Sequence, residues 1–168
     1  MNAPQHSIAL LRVVVGAWFL KAVWTKLALA HVAGLPYLAV AERFLRFYPG
    51  RVAEFAAGNP VGWYRHFLEQ TVLPHAALFA TLQSYGEVVV GIALVLGLLT
   101  RLAAGIGLFL TLNYALATQW MSFGQQGFHV MLVTAMVIFM LSGAGRAWGV
   151  DHWLLGLHTP ARWLRVLT

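Results

Sequence analysis

The sequence predicts an all-α integral membrane protein, a bundle of four transmembrane helices with an amphipathic loop of interfacial helices between the first and second. Three observations carry that expectation. Between residues 88 and 145 the only formal charge is Arg101, and a soluble fold of this size cannot hide so long an uncharged apolar stretch. Of the 168 residues, 60% are hydrophobic and only 10% are charged, too few charges to solvate a globular surface. Several apolar runs approach the roughly 20 residues that cross about 30 Å of hydrocarbon, and none shows the period-2 alternation of a barrel strand. The chain, 1–168, reads as one membrane domain.

The first span is expected at about 7–30, interrupted by Arg12, Lys21 and Lys26. No basic segment precedes it and no small-residue cleavage site follows, so it reads as a retained helix and not a signal peptide. Residues 31–73 are neither long nor apolar enough to cross, and Pro36, Pro49 and Pro60 divide them. One piece, 37–48, mixes Leu38, Phe44, Leu45 and Phe47 with Glu42, Arg43 and Arg46, the composition of a helix lying in the interface. Asn59-Pro60 reads as an N-cap and first-turn proline. The helix it opens sets Trp63 with Phe67 and Tyr64 with Leu68 at i,i+4 spacing, with an Arg65–Glu69 pair on its wetter face. Further spans are expected at about 74–99, 102–120 and 128–145. The second and third are joined so closely around Arg101 that they form an antiparallel hairpin. The tail, 147–168, carries Trp148, Trp153 and Trp163 beside basic residues, an interfacial anchor by composition.

Charge and cysteine content remove several functions. The net charge of +6 belongs to eleven scattered cations, nine of them Arg, many at span ends. Nucleic-acid binding needs cations clustered on one solvated face, so headgroup contact and topology control are the better reading. With no cysteine, a thiol–disulfide relay, thiolate metal sites and iron–sulfur ligation have no ligands. The 121–127 connection has no Lys or Arg, whereas the 101 turn and the tail have Arg101, Arg146, Arg162 and Arg165. The positive-inside rule therefore sets both termini and the Arg101 turn in the cytoplasm.

Glu87 is the first candidate for chemistry, because a carboxylate midway along an apolar span must be paired with a cation or protonated. Arg12 and Lys26 share one stripe of the first span and Lys21 lies nearly opposite Arg12. All three are candidate partners for Glu87; depth favours Lys21. Snorkelling to headgroups is the plainer role of Arg12 and Lys26. Gln83 shares the face of Glu87, while Asn113 and Tyr114 lie at comparable depth in the third span and His129 opens the fourth. Together they read as a polar pocket able to hold a quinone headgroup, which needs donors to two carbonyls and a route for protons. Hydrogen bonding between packed helices is the plainer role of Gln83 and Asn113. His75 and His129 open two spans at one face, but span starts alone do not give the facing pair that axial haem ligation requires.

These residues fall in an order that resembles the DoxX/DoxD membrane protein family. The resemblance rests on Arg12-x3-Gly16 followed by Lys26, Glu87-x3-Gly91 leading into Leu96-Gly97-Leu98-Leu99-Thr100-Arg101, and Gly143-x-Gly145-Arg146 with Asp151. The Asn59-Pro60-x2-Trp63-Tyr64-x2-Phe67-Leu68 stretch and Pro74 resemble the DoxD branch, the small subunit of thiosulfate:quinone oxidoreductase. Val23, and Gly127-Phe128-His129 at the entry to the fourth span, depart from its pattern. The resemblance implies a quinone-interacting subunit in a bacterial or archaeal cytoplasmic membrane. It would pass electrons from thiosulfate or another sulfur compound to the quinone pool, with Glu87, Lys26 and Arg12 carrying the chemistry. Its implied partners are membrane lipid, a soluble or peripheral oxidoreductase subunit, and a second copy of the chain. A non-catalytic anchor or assembly factor that recruits a partner is the alternative.

Overall fold

The computed structural model describes residues 3–156 and 167–168; the tail residues Arg162, Trp163 and Arg165 lie outside that range. Four helical segments are long and apolar enough to cross a membrane: Pro4–Lys26, Ala76–Leu96, Thr100–Thr118 and Phe123–Ser142. The first comprises α1 (Ala3–Leu20) and α2 (Ala22–Lys26), with a one-residue break at Lys21. After it come a β-hairpin, β1 (Leu27–Val32) and β2 (Leu35–Val40), and then α3 (Glu42–Ala57) and α4 (Gly62–Phe67). The chain continues through one π-helical turn (Leu68–Val72) into α5 (Ala76–Leu96), α6 (Thr100–Thr118), α7 (Phe123–Ser142) and the short α8 (Val150–Leu155). The fold is the expected four-span helical bundle.

Helices α1 and α5 run side by side because Gly16 and Gly91 remove the side chains between them. A Cβ on Gly16 would strike Val95, and one on Gly91 would strike Leu20. Helix α6 packs on α7, and the four spans enclose Phe19, Val90, Leu94, Ala104, Met136 and Phe139. Ser122 caps α7 by accepting from the Gln125 N–H, 3.2 Å away.

Four expectations for the region between the first two spans are corrected. The first helix ends at Lys26 rather than near residue 30, and 27–40 is a hairpin in which Leu27 pairs with Val40 and Val32 with Leu35. The reason is local: two six-residue apolar runs flank Ala33-Gly34, whose φ angles of 50° and 81° close a tight turn. Average hydropathy does not distinguish that pattern from the end of a helix. The expected helix at 37–48 accordingly begins only at Glu42, and it runs through Pro49 to Ala57. Asn59 does not cap a helix starting at Pro60; its Oδ1 accepts the Val61 N–H at 3.0 Å, a local turn that delays α4 to Gly62. Arg65 and Glu69 form no ion pair among the described residues.

The two cap helices are held by their apolar faces. Val52 and Ala56 of α3, Tyr64 of α4, and Leu68 and Val72 are buried against Ala117 of α6, with Phe79 of α5 alongside. Asn59 Nδ2 donates to the Leu116 carbonyl at 2.9 Å, and Tyr64 Oη to the Asn113 carbonyl at 3.0 Å. The outer face of α3 carries the exposed pairs Glu42–Arg46 and Arg51–Glu54. Burial pushes the Tyr64 hydroxyl up to about 12, and Tyr48 moves to about 12 for the same reason with the Glu87 charge adding to it.

Candidate functional site

Helix α5 sets Gln83 and Glu87 one turn apart on one face, α2 ends on Lys26, and α6 brings Tyr114 to the same level. Lys26 Nζ donates to both Glu87 oxygens, at 2.7 Å to Oε1 and 2.6 Å to Oε2. Tyr114 Oη donates to Oε1 at 2.5 Å, and Gln83 Nε2 approaches the same oxygen at 3.4 Å. The side chains of Lys26 and Glu87 are only 16% and 11% exposed, so the pair is largely removed from solvent while Glu87 accepts from Lys26, Tyr114 and Gln83. This is the condition under which a buried ion pair persists.

Lys26, Glu87 and Tyr114 form one wall of a chamber of about 140 Å3, completed by Trp18, Phe19, Lys21, Ala22, Thr25, Phe128 and Leu132, while Gln83 stays behind Glu87 outside the lining. A cavity of about 150 Å3 is enough to hold one benzene ring. Aromatic and aliphatic walls with an ammonium, a phenol and a carboxylate on one side suit a planar ring bearing polar oxygens. Lys21 Nζ sits 3.8 Å from the centre of the Trp18 ring, a cation–π contact beside the chamber. Lys26 is the cation that meets Glu87; Lys21, favoured by depth, lines the chamber without reaching the carboxylate. Lys21 keeps helical dihedrals (φ −52°, ψ −26°), and five residues of helix turn it well away from Lys26.

The remaining expected residues are elsewhere. Asn113 faces the cap: its Nδ2 donates to the Phe109 carbonyl at 2.8 Å, and its carbonyl receives Tyr64. His129 is buried on α7 next to Phe128 but does not line the chamber. His75 is exposed at the start of α5, with Nδ1 3.0 Å from the Thr71 carbonyl. Among the described residues no cluster of three or more His, Asp or Glu side chains stands together. Trp18 and Phe128 went unread in the sequence, because aromatic residues in a span are indistinguishable from lipid-facing ones until the neighbouring helix is known.

Arg12 belongs to a second polar cluster at the opposite end of the bundle. It is fully buried, and its Nη2 donates to the carbonyls of Trp148, at 3.2 Å, and Ala147, at 3.5 Å. Asp151, equally buried, accepts the N–H groups of Leu99 at 2.7 Å and Thr100 at 2.9 Å and so closes the N-terminus of α6. Leu99 and Trp148 both adopt positive φ, 47° and 51°, a cost that these bonds offset. Gly97 ends α5 at φ 64° directly against the Arg12 guanidinium, and a side chain on Gly145 would overlap Asp151 and Thr100. The motif glycines, Arg12 and Asp151 thus make one packed lock.

The fold and these two clusters define a multi-pass membrane protein with a charged, phenol-lined chamber between its helices. The chain belongs to the DoxD family, matching over residues 8–159 the family described as the small subunit, DoxD, of TQO, a thiosulfate:quinone oxidoreductase. No solved structure matches it.

Proposed function

We propose that the chain is the quinone-interacting membrane subunit of an oxidoreductase, with the chamber at Glu87, Lys26 and Tyr114 as the headgroup site. The observation that carries this reading is the placement of a carboxylate–ammonium–phenol cluster on the wall of a ring-sized chamber whose other walls are mostly aromatic and aliphatic. A bound quinone would supply two-electron, two-proton redox chemistry, with the electrons coming from a sulfur compound such as thiosulfate through a soluble or peripheral partner subunit. Lys26 Nζ keeps one N–H beyond the two given to Glu87, and the Tyr114 O–H would have to turn from Glu87 Oε1 to reach a ring carbonyl. A ring that gains two electrons takes up two protons, and Tyr114 Oη and Lys26 Nζ are the groups placed to donate to its oxygens, with Glu87 holding both donors in position. Trp18, Phe19 and Phe128 exclude water from the ring. Arg12 and Asp151 hold the helices that frame the site and do not enter it. The membrane is assigned as the bacterial or archaeal cytoplasmic membrane, with both termini on the cytoplasmic side.

The test is quinone retention by the purified chain. Glu87→Gln and Tyr114→Phe should each elute as the parent does yet retain quinone at least about tenfold less well. Retention equal to the parent in both variants would move the site elsewhere. The alternative, an anchor that recruits a partner, draws on Phe47 and Trp63, 59% and 66% exposed on the cap. A partner complex that tolerates Glu87→Gln but is lost on Trp63→Asp would favour it.

A further inference from the structure

The chamber does not end at its aromatic wall. Helix α1 leans on α5 and α7 on α6, and between α1 and α7 runs a groove of about 460 Å3 lined by Leu11, Val14, Val15, Met131, Ala135 and Ile138. Trp18, Phe128 and Leu132 line both spaces. The lining follows one stripe on α1, at 11, 14, 15 and 18, and a broader face of α7, at 128, 130, 131, 132, 134, 135 and 138. The one hydroxyl in it, Thr134 Oγ1, donates to the Val130 carbonyl at 2.8 Å, leaving its helix's own backbone as its partner. A groove so lined offers a ligand dispersion contacts and no polar ones.

At 1.5 Å per residue, the seven residues from Leu11 to Trp18 and the ten from Phe128 to Ile138 give a track of about 10–15 Å. Val14 and Met131 are 58% and 73% exposed along it, so the groove opens sideways, toward lipid. At its chamber end Trp18 and Phe128 meet edge to face, with ring centres 5.4 Å apart, and Lys21 covers the Trp18 ring.

We propose that this groove seats the hydrocarbon tail of a lipid quinone whose ring occupies the chamber, and that the ligand enters laterally from the bilayer between α1 and α7, past Trp18 and Phe128. The proposal rests on the headgroup reading above. Continuity is what selects the occupant: a polar ring site and a dry track share three side chains, so one molecule with a polar ring and an apolar tail fills both. A tail already dissolved in hydrocarbon gains only packing on entering such a groove. Its contribution is therefore selectivity among tail lengths, and it saturates once the tail fills the track.

The test uses the full chain reconstituted in nanodiscs, with affinities expressed per lipid so that partitioning cancels. Two probes are compared: a tailless dimethoxy-methyl benzoquinone and the same ring with a ten-carbon chain. In the parent, the chain-bearing probe should bind tighter, on the order of tenfold. Val14→Trp and Met131→Trp, each filling the groove from its exposed side, should abolish that difference while binding the tailless ring as the parent does. A tail advantage that survives in both variants would overturn the groove and leave the headgroup site standing. So would equal loss of both probes, which would show that the groove has no role separate from the chamber. Failure of the parent to bind the tailless ring would remove the headgroup site, and the groove proposal with it.

Discussion

Glu87 was legible as a functional candidate from its depth alone, because no other carboxylate lies within a long apolar run. Its partner was not legible, since Arg12, Lys21 and Lys26 all lie in the first span and only the packing of that span on α5 decides among them. The pairing sets a stability prediction. Glu87→Gln leaves Lys26 largely buried and uncompensated, which should cost about 3 kcal/mol, the lower end of the range for breaking a buried pair, because some exposure remains. The double variant Lys26→Met with Glu87→Leu should recover most of that loss, since it removes both desolvation penalties. Thermal unfolding in detergent checks both values; a double variant no more stable than Glu87→Gln would mean that the pair itself adds net stability. Tyr114→Phe removes one donor from an oxygen that retains Lys26, so its expected cost is smaller, about 1 kcal/mol.

Among the elements, the long helices were legible and the short ones were not. Spans two to four are set by apolar length, and the structure moves their ends by only a few residues. The hairpin at 27–40 was missed because two short apolar strands in a charge-free run look like more of the preceding helix. The cap helices were legible as amphipathic, but what covers their apolar faces, the ends of α5 and α6, depends on contacts distant in sequence. That covering has a pH signature. Tyr48 and Tyr64 keep their protons until about pH 12, against 10 for an exposed tyrosine. Their folded-state values are raised, so the stability they contribute is complete below pH 10 and is lost as pH rises toward 12. The cap should therefore loosen across that window. Phenolate absorbance should show a late step that shrinks in Tyr48→Phe and in Tyr64→Phe; titration of both residues near pH 10 would mean that the cap is open.

At the scale of the molecule, the four-span bundle follows from composition, but its direction in the membrane is a separate question. The charge bias predicts that the Arg101 turn is cytoplasmic and that the 36–74 region lies outside. The chain lacks cysteine, so single cysteines can be placed at will. In intact cells an impermeant thiol reagent should label a cysteine at Arg46, on the exposed face of α3, and leave one at position 101 unlabelled; the opposite pattern would invert the protein. The two polar clusters were only half legible. The motif residues signalled that Arg12, Lys26 and Glu87 matter, but a sequence does not say that Arg12 and Glu87 belong to different ends of the bundle.

The lock around Arg12 has a consequence for biogenesis. The carbonyls that receive its guanidinium lie 135 and 136 positions further along the chain. At roughly 5–20 residues per second of translation, an arginine already inside the membrane waits on the order of ten seconds for its acceptors. Until Ala147, Trp148 and Asp151 are made, the first helix carries a charge without the acceptors it has in the fold. A chain stopped after residue 146 should therefore be degraded rapidly in a pulse-chase experiment, and Arg12→Leu in the same truncated chain should lengthen its lifetime. In the full-length chain the same substitution should do the reverse. On that outcome Arg12 would report whether residues 147–151 have been made.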